Sequence, residues 1–125
     1  MNIVVKRIYE PSSPHDGIRV LVDRLWPRGL AKTRAELDQW AKELAPSAEL
    51  RKSWHADPAQ HTPAHFAAFT AAYLEELSHE PAVSAMSALL DHAGESSTLT
   101  LLTATTDAEQ NHALVLRDAL LERLS

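Results

Sequence analysis

IRVLVDRLWPRGLAK, at residues 18–32, reads as a buried strand that ends in charged side chains. Its first part is short and carries β-branched residues at alternate positions, namely Ile18, Val20 and Val22. Gly17 precedes the run and Pro27 follows it, which favours a strand over a helical turn. Both faces of the strand are mostly apolar, as is typical of a central strand that is covered on both sides.

The charged end of this strand is where the sequence predicts a functional site. Asp23 and Arg24 are set into the end of the apolar run, and the stop WPRG follows at residues 26–29. Ionised side chains are costly to bury unless they are paired or used. Ligands of open α/β sheets bind outside the carboxyl ends of the strands. We therefore expect a ligand at this end of the strand.

Length and composition narrow the class of protein. The 125 residues fit one domain. The chain has no cysteine, which excludes disulfides, thiolate chemistry and cysteine-bound metal centres. It has no apolar run near the roughly 20 residues that a membrane-spanning helix needs, and its first residues, MNIVVKRIYE, are the reverse of a signal peptide. We expect a cytoplasmic protein without a membrane partner.

Charge is unevenly distributed along the chain. The net charge is −5, but residues 1–34 carry seven Lys and Arg against three Asp and Glu, whereas the remainder carries five against fourteen. This asymmetry predicts a local cationic site on an acidic body, and the acidic body argues against general nucleic-acid binding. The alternative is that these bases pair with the acidic helices that follow, since structural ion pairs are common.

Two further segments have the pattern of strands. NIVVKRIY at residues 2–9 predicts the first strand, and TLTLLTA at residues 98–104 predicts the third. The connection EPSSPHDG is rich in turn formers and too short for a helical crossover, so the simplest prediction is that the first two strands are antiparallel neighbours. A parallel pairing through an abbreviated crossover stays open. The second and third strands are expected to be central.

Helices are predicted between and after these strands. The first covers residues 34–45 behind a capping box at Thr33 and Glu36, and the second is a short helix that Ser47 caps and that ends at residues 55–58. The third begins at Thr62 and Pro63, and the fourth extends from Pro81 to Gly94. The last begins at a second capping box, Thr106 and Glu109. With the strands, they predict an α/β fold, a single three-layer α/β domain with a small mainly parallel sheet flanked by helices.

The Thr-rich turn after the third strand is a second element of the predicted site. Thr105, Thr106 and Asp107 follow the strand, and a helix that starts here presents backbone N–H groups and the positive end of its dipole to an anion. The alternative is an ordinary capped connection between a strand and a helix.

No strong catalytic motif is present, since the chain lacks a phosphate-binding loop, a dinucleotide fingerprint and a nucleophile elbow. His55, His61 and His65 are spaced through a Pro-rich turn and match no metal pattern, so no metal site is predicted. His112 lies on the apolar stripe of the last helix. It is either a core histidine or an acid–base group near the charged strand end.

Several segments together resemble one family. They are VKRIYEP at residues 5–11, DGIRVLVDRLWPRGLAK at 16–32, ELRKSWHADP at 49–58 and LTLLTATTDAEQNHALVLRDAL at 99–120, and they resemble the small YeaO-like branch of the domain-of-unknown-function 488 (DUF488) family. The resemblance covers nearly the whole chain, and it implies a compact bacterial or archaeal α/β protein without implying a particular activity. Thr106 stands where members usually carry a basic residue. Asn111-His112-Ala113 stands where larger relatives have Cys-His-Arg, so the match retains the histidine and lacks the thiol.

These observations predict one site, formed by the ends of the second and third strands. In an enzyme, Asp23 or His112 would be the acid–base catalyst that hydrolyses or transfers a group on a small molecule bearing a phosphate or carboxylate. The residues predicted to bind this ligand are Arg24, Arg28, Lys32, Thr105, Thr106, Asp107, Asn111 and His55. In the alternative, the protein is a non-catalytic module whose basic edge at Arg28, Lys32 and Arg34 contacts nucleic acid or a partner protein. The sequence identifies no cofactor.

Overall fold

The computed structural model describes residues 1–56, 62–94, 96–107 and 109–124. The strands are β1 (Asn2–Arg7), β2 (Ile18–Leu21), β3 (Gln39–Trp40) and β4 (Thr98–Thr103). The α-helices are α1 (Lys32–Ala35), α2 (Ala48–Ala56), α3 (Pro63–Leu77), α4 (Ala82–Ala93) and α5 (His112–Leu124), and short 3₁₀ helices lie at Pro14–Asp16 and Lys42–Leu44. Within these residues, no helix has the length and apolar character needed to cross a membrane.

The sheet is parallel throughout, and its strands pair in the order β1-β4-β2-β3. This confirms the predicted single α/β domain with a parallel sheet, and β2 and β4 are its interior strands as predicted. The antiparallel pairing predicted for the first two strands is wrong. β1 pairs in parallel with β4, from Asn2 opposite Thr98 to Arg7 opposite Thr103, and β4 separates it from β2.

A buried carboxylate makes the short parallel crossover from β1 to β2 possible. The 3₁₀ turn at Pro14–Asp16 lies over β4, where the Thr100 hydroxyl donates to the Asp16 carbonyl at 2.7 Å. The Asp16 carboxylate accepts from Lys6 of β1 at 3.0 Å and from Arg19 of β2. Two of the basic residues in the first third of the chain therefore pair internally, with Asp16 instead of with the later acidic helices.

The two faces of the sheet have different cores because side chains alternate along each strand. Val20, Leu99 and Leu101 pack with α3, α4 and α5 in the larger core, which also contains Tyr73, Met86, Leu89, Leu116 and Leu120. Leu21 and Leu102 face the other way and form a smaller core. That second core is covered by Ala35 of α1 and by partly buried Trp26, Leu30, Leu37 and Trp40.

The helix predicted over residues 34–45 is wrong. α1 stops at Ala35, because Glu36 adopts a left-handed backbone conformation with φ of 50°. The Asp38 N–H then donates to the Arg19 carbonyl at 2.9 Å, and the Ala41 N–H donates to the Leu21 carbonyl at 2.8 Å. Pairing with the free edge of β2 thus overrides the helical periodicity of this segment, and the two-residue strand β3 forms instead.

Three of the helix predictions are confirmed. Ser47 Oγ accepts from the Leu50 N–H at the start of α2, Thr62 caps α3 through the His65 N–H, and α4 lies between Pro81 and Gly94. The predicted end of α2 at Asp57-Pro58, together with His61 and Ala108, lies outside the described residues.

The start predicted for the last helix is also wrong. α5 begins at His112, and the capping oxygen belongs to Asn111, whose Oδ1 accepts from the Leu114 N–H at 3.0 Å. Asp107 instead closes a separate turn, in which its Oδ1 accepts from the N–H groups of Glu109 and Gln110. An Asn side chain three residues before a free N–H competes successfully with the Thr-x-x-Glu spacing.

Gly17→Ala should destabilise the protein much more than Gly29→Ala. Both glycines have positive φ, 63° and 77°, so both substitutions carry a backbone penalty of about 1–2 kcal/mol. A Cβ on Gly17 would also lie 2.1 Å from the Thr98 carbonyl oxygen, whereas a Cβ on Gly29 meets nothing within 4 Å. Urea titrations of both variants measure the difference. Equal losses would mean that the crossover does not lie tightly on β4.

Asn111→Ala should cost about 1 kcal/mol of stability through loss of the cap of α5. The matched control is Thr106→Ala, which removes the hydroxyl at the cap position expected from sequence and should change stability by less than about 0.5 kcal/mol. Thermal or urea unfolding of the pair decides between the two starts of α5. A larger loss in the Thr106 variant would place the start of the helix back at the Thr-rich turn.

Candidate ligand-binding cavity at the strand ends

The carboxyl ends of β2 and β4 lie side by side, and a cavity of about 420 Å³ opens beside them. We call it the strand-end cavity. Its polar lining residues are Asp23, Arg24, Arg28, Arg51, His55, Thr103, Thr105, Gln110, Asn111 and His112, and its apolar lining includes Leu25, Trp26, Trp54, Phe66 and Phe69. The volume falls within the range of small-molecule sites.

Asp23 joins the three elements that meet at the floor of the strand-end cavity. Its Oδ1 accepts from the Thr103 hydroxyl at 2.8 Å, and its Oδ2 accepts from the Ala104 N–H at 2.8 Å. The Nε2 of His112 lies 3.1 Å from Oδ1. One carboxylate thus connects the end of β2, the end of β4 and the first residue of α5, and about three of its four acceptor positions are used.

His112 is held by the same arrangement. Its Nε2 also lies 2.9 Å from the Val22 carbonyl oxygen, and its ring meets the ring of Tyr73 edge-on at 6.1 Å between centroids. Both polar neighbours of Nε2 are acceptors, so this nitrogen carries the proton and donates. Nε2 is therefore engaged by the protein, and Nδ1 is the other ring nitrogen.

The environment of Asp23 stabilises its ionised form. Burial alone would raise the pKa of this carboxyl. The hydrogen bond and charge of His112, the Ala104 N–H and the Thr103 hydroxyl outweigh burial and hold the pKa below its usual value. A carboxylate that is ionised and satisfied in this way is a structural acceptor, and it is a poor proton donor at neutral pH.

Two arginines reach the strand-end cavity from the segment after β2. The Arg24 guanidinium donates from Nε to the Pro46 carbonyl at 3.0 Å and from Nη2 to the Ala45 carbonyl at 3.3 Å, which uses two of its five N–H donors. Arg28 is exposed and lies in a turn that Trp26 closes by donating from Nε1 to the Leu30 carbonyl at 2.7 Å. The Tyr9 hydroxyl donates to the Arg28 carbonyl at 2.8 Å, so the backbone of this turn is fixed from two sides.

The structure brings most of the predicted site residues together. Asp23, Arg24, Arg28, His55, Thr105, Asn111 and His112 all line the strand-end cavity. Lys32, Thr106 and Asp107 are not among the described lining residues. Lys32 instead lies over the ring of Trp26, with Nζ 6.0 Å from the centroid, and Thr106 is exposed on the turn before α5.

Several lining residues were not predicted for the site. Arg51 lies one helical turn before Trp54 on α2, a spacing that places both on one face, and Phe66 and Phe69 repeat this spacing on α3. Phe69 is 7% exposed and belongs to the larger core, and Phe66 is partly buried against it. The i, i+3 spacing of Arg51 and Trp54 was the sequence signal from which this face of α2 could have been added to the predicted site. In the described residues, no group of three His, Asp or Glu side chains is arranged to hold a metal ion.

Asp23→Asn should flatten the loss of stability in acid. Because the pKa of Asp23 is lowered by folding, its ionised form stabilises the protein above the unfolded pKa of about 3.9, and this contribution disappears as pH falls through the folded pKa. The free energy of unfolding of the unmodified protein, from urea titrations, should therefore fall more steeply between about pH 5 and pH 3 than that of the variant.

Asp91→Asn, at an exposed position of α4, is the control and should keep the original pH slope. Parallel curves for the unmodified protein and Asp23→Asn would contradict the role given to this carboxylate.

Comparison with known proteins identifies the family. The chain is 45% identical over 119 residues to "Uncharacterized protein YeaO" of Escherichia coli K12, a match that covers 94% of this chain and 96% of that protein. It is 40% identical over 116 residues to "Uncharacterized protein Mb3100c" of Mycobacterium bovis, covering 93% of this chain and 91% of the relative. No solved structure matches significantly. Residues 2–125 match the family model described as "Inactive DUF488-N3 subclade". The chain belongs to this DUF488 family, which confirms the resemblance to its YeaO-like branch.

Proposed function

We propose that the protein binds a small molecule bearing a phosphate or carboxylate group in the strand-end cavity, without transforming it. The observation that carries the proposal is the charge of the lining. Among the lining residues that the structure describes, Arg24, Arg28 and Arg51 accompany one carboxylate, that of Asp23, whose oxygens are already engaged by protein donors. A concave site with convergent cations and few acids suits an anion.

The arginines suit recognition of an anion by paired hydrogen bonds. A guanidinium presents a planar fork of donors that matches a carboxylate or phosphate bidentately. The Arg24 guanidinium is already oriented by the carbonyls of Ala45 and Pro46, and the Arg28 backbone is fixed by Tyr9. Within the described part of the chain, neither Arg28 nor Arg51 has an ion-pair partner, and both line the strand-end cavity.

Two observations support binding without catalysis. The oxygens of Asp23 and the Nε2 of His112 are used in holding β2, β4 and α5 together, which leaves them little capacity for proton transfer. The matched family is described as an inactive subclade. The acid–base role considered for Asp23 and His112, in hydrolysis or group transfer, would have to run through the Nδ1 of His112.

One observation favours the alternative in which a basic edge contacts nucleic acid or a partner protein. Arg28, Lys32 and Arg34 are all exposed along one segment. However, Lys6 and Arg19 from the same basic third are paired with Asp16, and Arg24 is turned toward the strand-end cavity. The remaining cations are fewer than the sequence count suggested, and binding to nucleic acid through them would depend steeply on salt.

Arg28→Lys should weaken binding of inorganic phosphate about tenfold while leaving the melting temperature nearly unchanged, because a lysine keeps the charge and loses the bidentate fork. Arg34→Lys, an exposed position outside the cavity lining, is the matched control and should bind phosphate as the unmodified protein does. Calorimetric titration measures both. Undetectable phosphate binding by the unmodified protein, or equal losses in the two variants, would contradict the proposal.

Incubation with p-nitrophenyl phosphate tests the absence of catalysis. We expect no release of p-nitrophenol above the buffer rate. Release above the buffer rate would contradict the non-catalytic part of the proposal. Loss of that release in a His112→Gln variant whose melting temperature is unchanged would then assign the proton transfer to His112.

A further inference from the structure

We propose that the ligand of the strand-end cavity is an aromatic acid, with a planar ring next to its phosphate or carboxylate group. This inference rests on the proposed anion binding and adds the chemical class of the ligand. It comes from the apolar wall of the cavity, which the charge argument does not use.

That wall is a continuous cluster of aromatic rings. The ring centroids of Trp54 and Phe66 are 5.9 Å apart, those of Trp54 and Phe69 are 5.0 Å apart, and those of Phe66 and Phe69 are 6.2 Å apart. Phe69 is buried and supports the cluster from below, whereas Trp54 and Phe66 are only partly buried and line the cavity. Their exposed ring area is therefore available for contact with a ligand.

The cluster is adjacent to a cation on the same helix face. Arg51 precedes Trp54 by three residues on α2, and both line the strand-end cavity. A ligand whose acid group contacts Arg51 places the atoms next to that group against Trp54. A small inorganic anion would leave this aromatic surface in contact with water, and a flat apolar group would cover it.

The lining of the cavity contains two further apolar side chains. They are Leu25, which is 57% exposed, and Trp26, which is partly buried. A planar ring bound in the cavity has this apolar surface to cover in addition to the Trp54–Phe66 wall. Aromatic rings that meet in offset or edge-on arrangements gain attraction beyond the apolar area that they bury.

A series of phosphate probes with the intact protein tests the inference. Phenyl phosphate should bind about three- to tenfold more tightly than methyl phosphate, as one added aromatic contact provides. Methyl phosphate should bind about as well as inorganic phosphate. Benzoate compared with acetate tests the same difference for a carboxylate and shows which acid group the cavity accepts.

Variants at the wall provide the second arm. Trp54→Leu should remove most of the preference for phenyl phosphate and leave methyl phosphate binding unchanged, whereas Trp54→Phe, which retains a ring, should keep most of the preference. Melting curves show which variants are folded. If Trp54→Leu does not fold, Phe66→Leu takes its place, and the probe series on the unmodified protein stands independently.

The outcomes separate the two proposals. Equal affinity for phenyl and methyl phosphate would overturn the aromatic ligand and leave anion binding intact. A preference for phenyl phosphate that survives Trp54→Leu and Phe66→Leu unchanged would place the ring elsewhere and would also overturn this inference. Failure of every phosphate and carboxylate probe to bind would overturn the proposed function itself.

Discussion

The hydrogen bonds of the Asp23 carboxylate are the interactions on which the shape of the strand-end cavity depends. This carboxylate accepts from a side chain and a backbone N–H at the end of β4, and it meets the first side chain of α5. Because the pKa of Asp23 is lowered by these partners in spite of burial, the carboxylate stays charged at neutral pH. The floor of the strand-end cavity is therefore a polar junction whose hydrogen bonds are satisfied within the protein, and in our proposal the groups around it bind the ligand.

The basic residues of the first third of the chain divide into two groups with different roles. Lys6 and Arg19 surround the buried Asp16, and they hold the crossover over β4 that makes the sheet parallel. Arg24 and Arg28 reach the strand-end cavity, where Arg51 of α2 joins them. The charge asymmetry of the sequence thus has a structural cause in one part and, in our proposal, a functional one in the other.

The features that follow from local rules could be predicted from the sequence. The sequence predicted that Asp23 and His112 lie close together, because the carboxyl ends of adjacent parallel strands share one edge of the sheet. The caps at Ser47 and Thr62 were readable because a side chain and the first N–H groups of its own helix make the interaction. The same reasoning failed at Thr106, where Asn111, a competing cap further along, determines the start of α5.

The features that depend on distant partners could not be read in this way. β3 is two residues long and exists because the edge of β2 offers it hydrogen bonds. The crossover from β1 is short because Asp16 finds partners on two strands. The aromatic wall arises only when α2 and α3 pack together. The i, i+3 spacing of Arg51 and Trp54 places both on one face of α2, but it does not show that this face lines a cavity.

The most direct measurement of the central claim is a crystal structure with p-iodophenyl phosphate, in which anomalous scattering locates the iodine independently of the protein density. Our account predicts the phosphate beside Arg28 and Arg51 and the iodine against the ring of Trp54 or Phe66. A molecule bound instead along the exposed edge of Lys32 and Arg34, with the strand-end cavity occupied only by solvent, would contradict it.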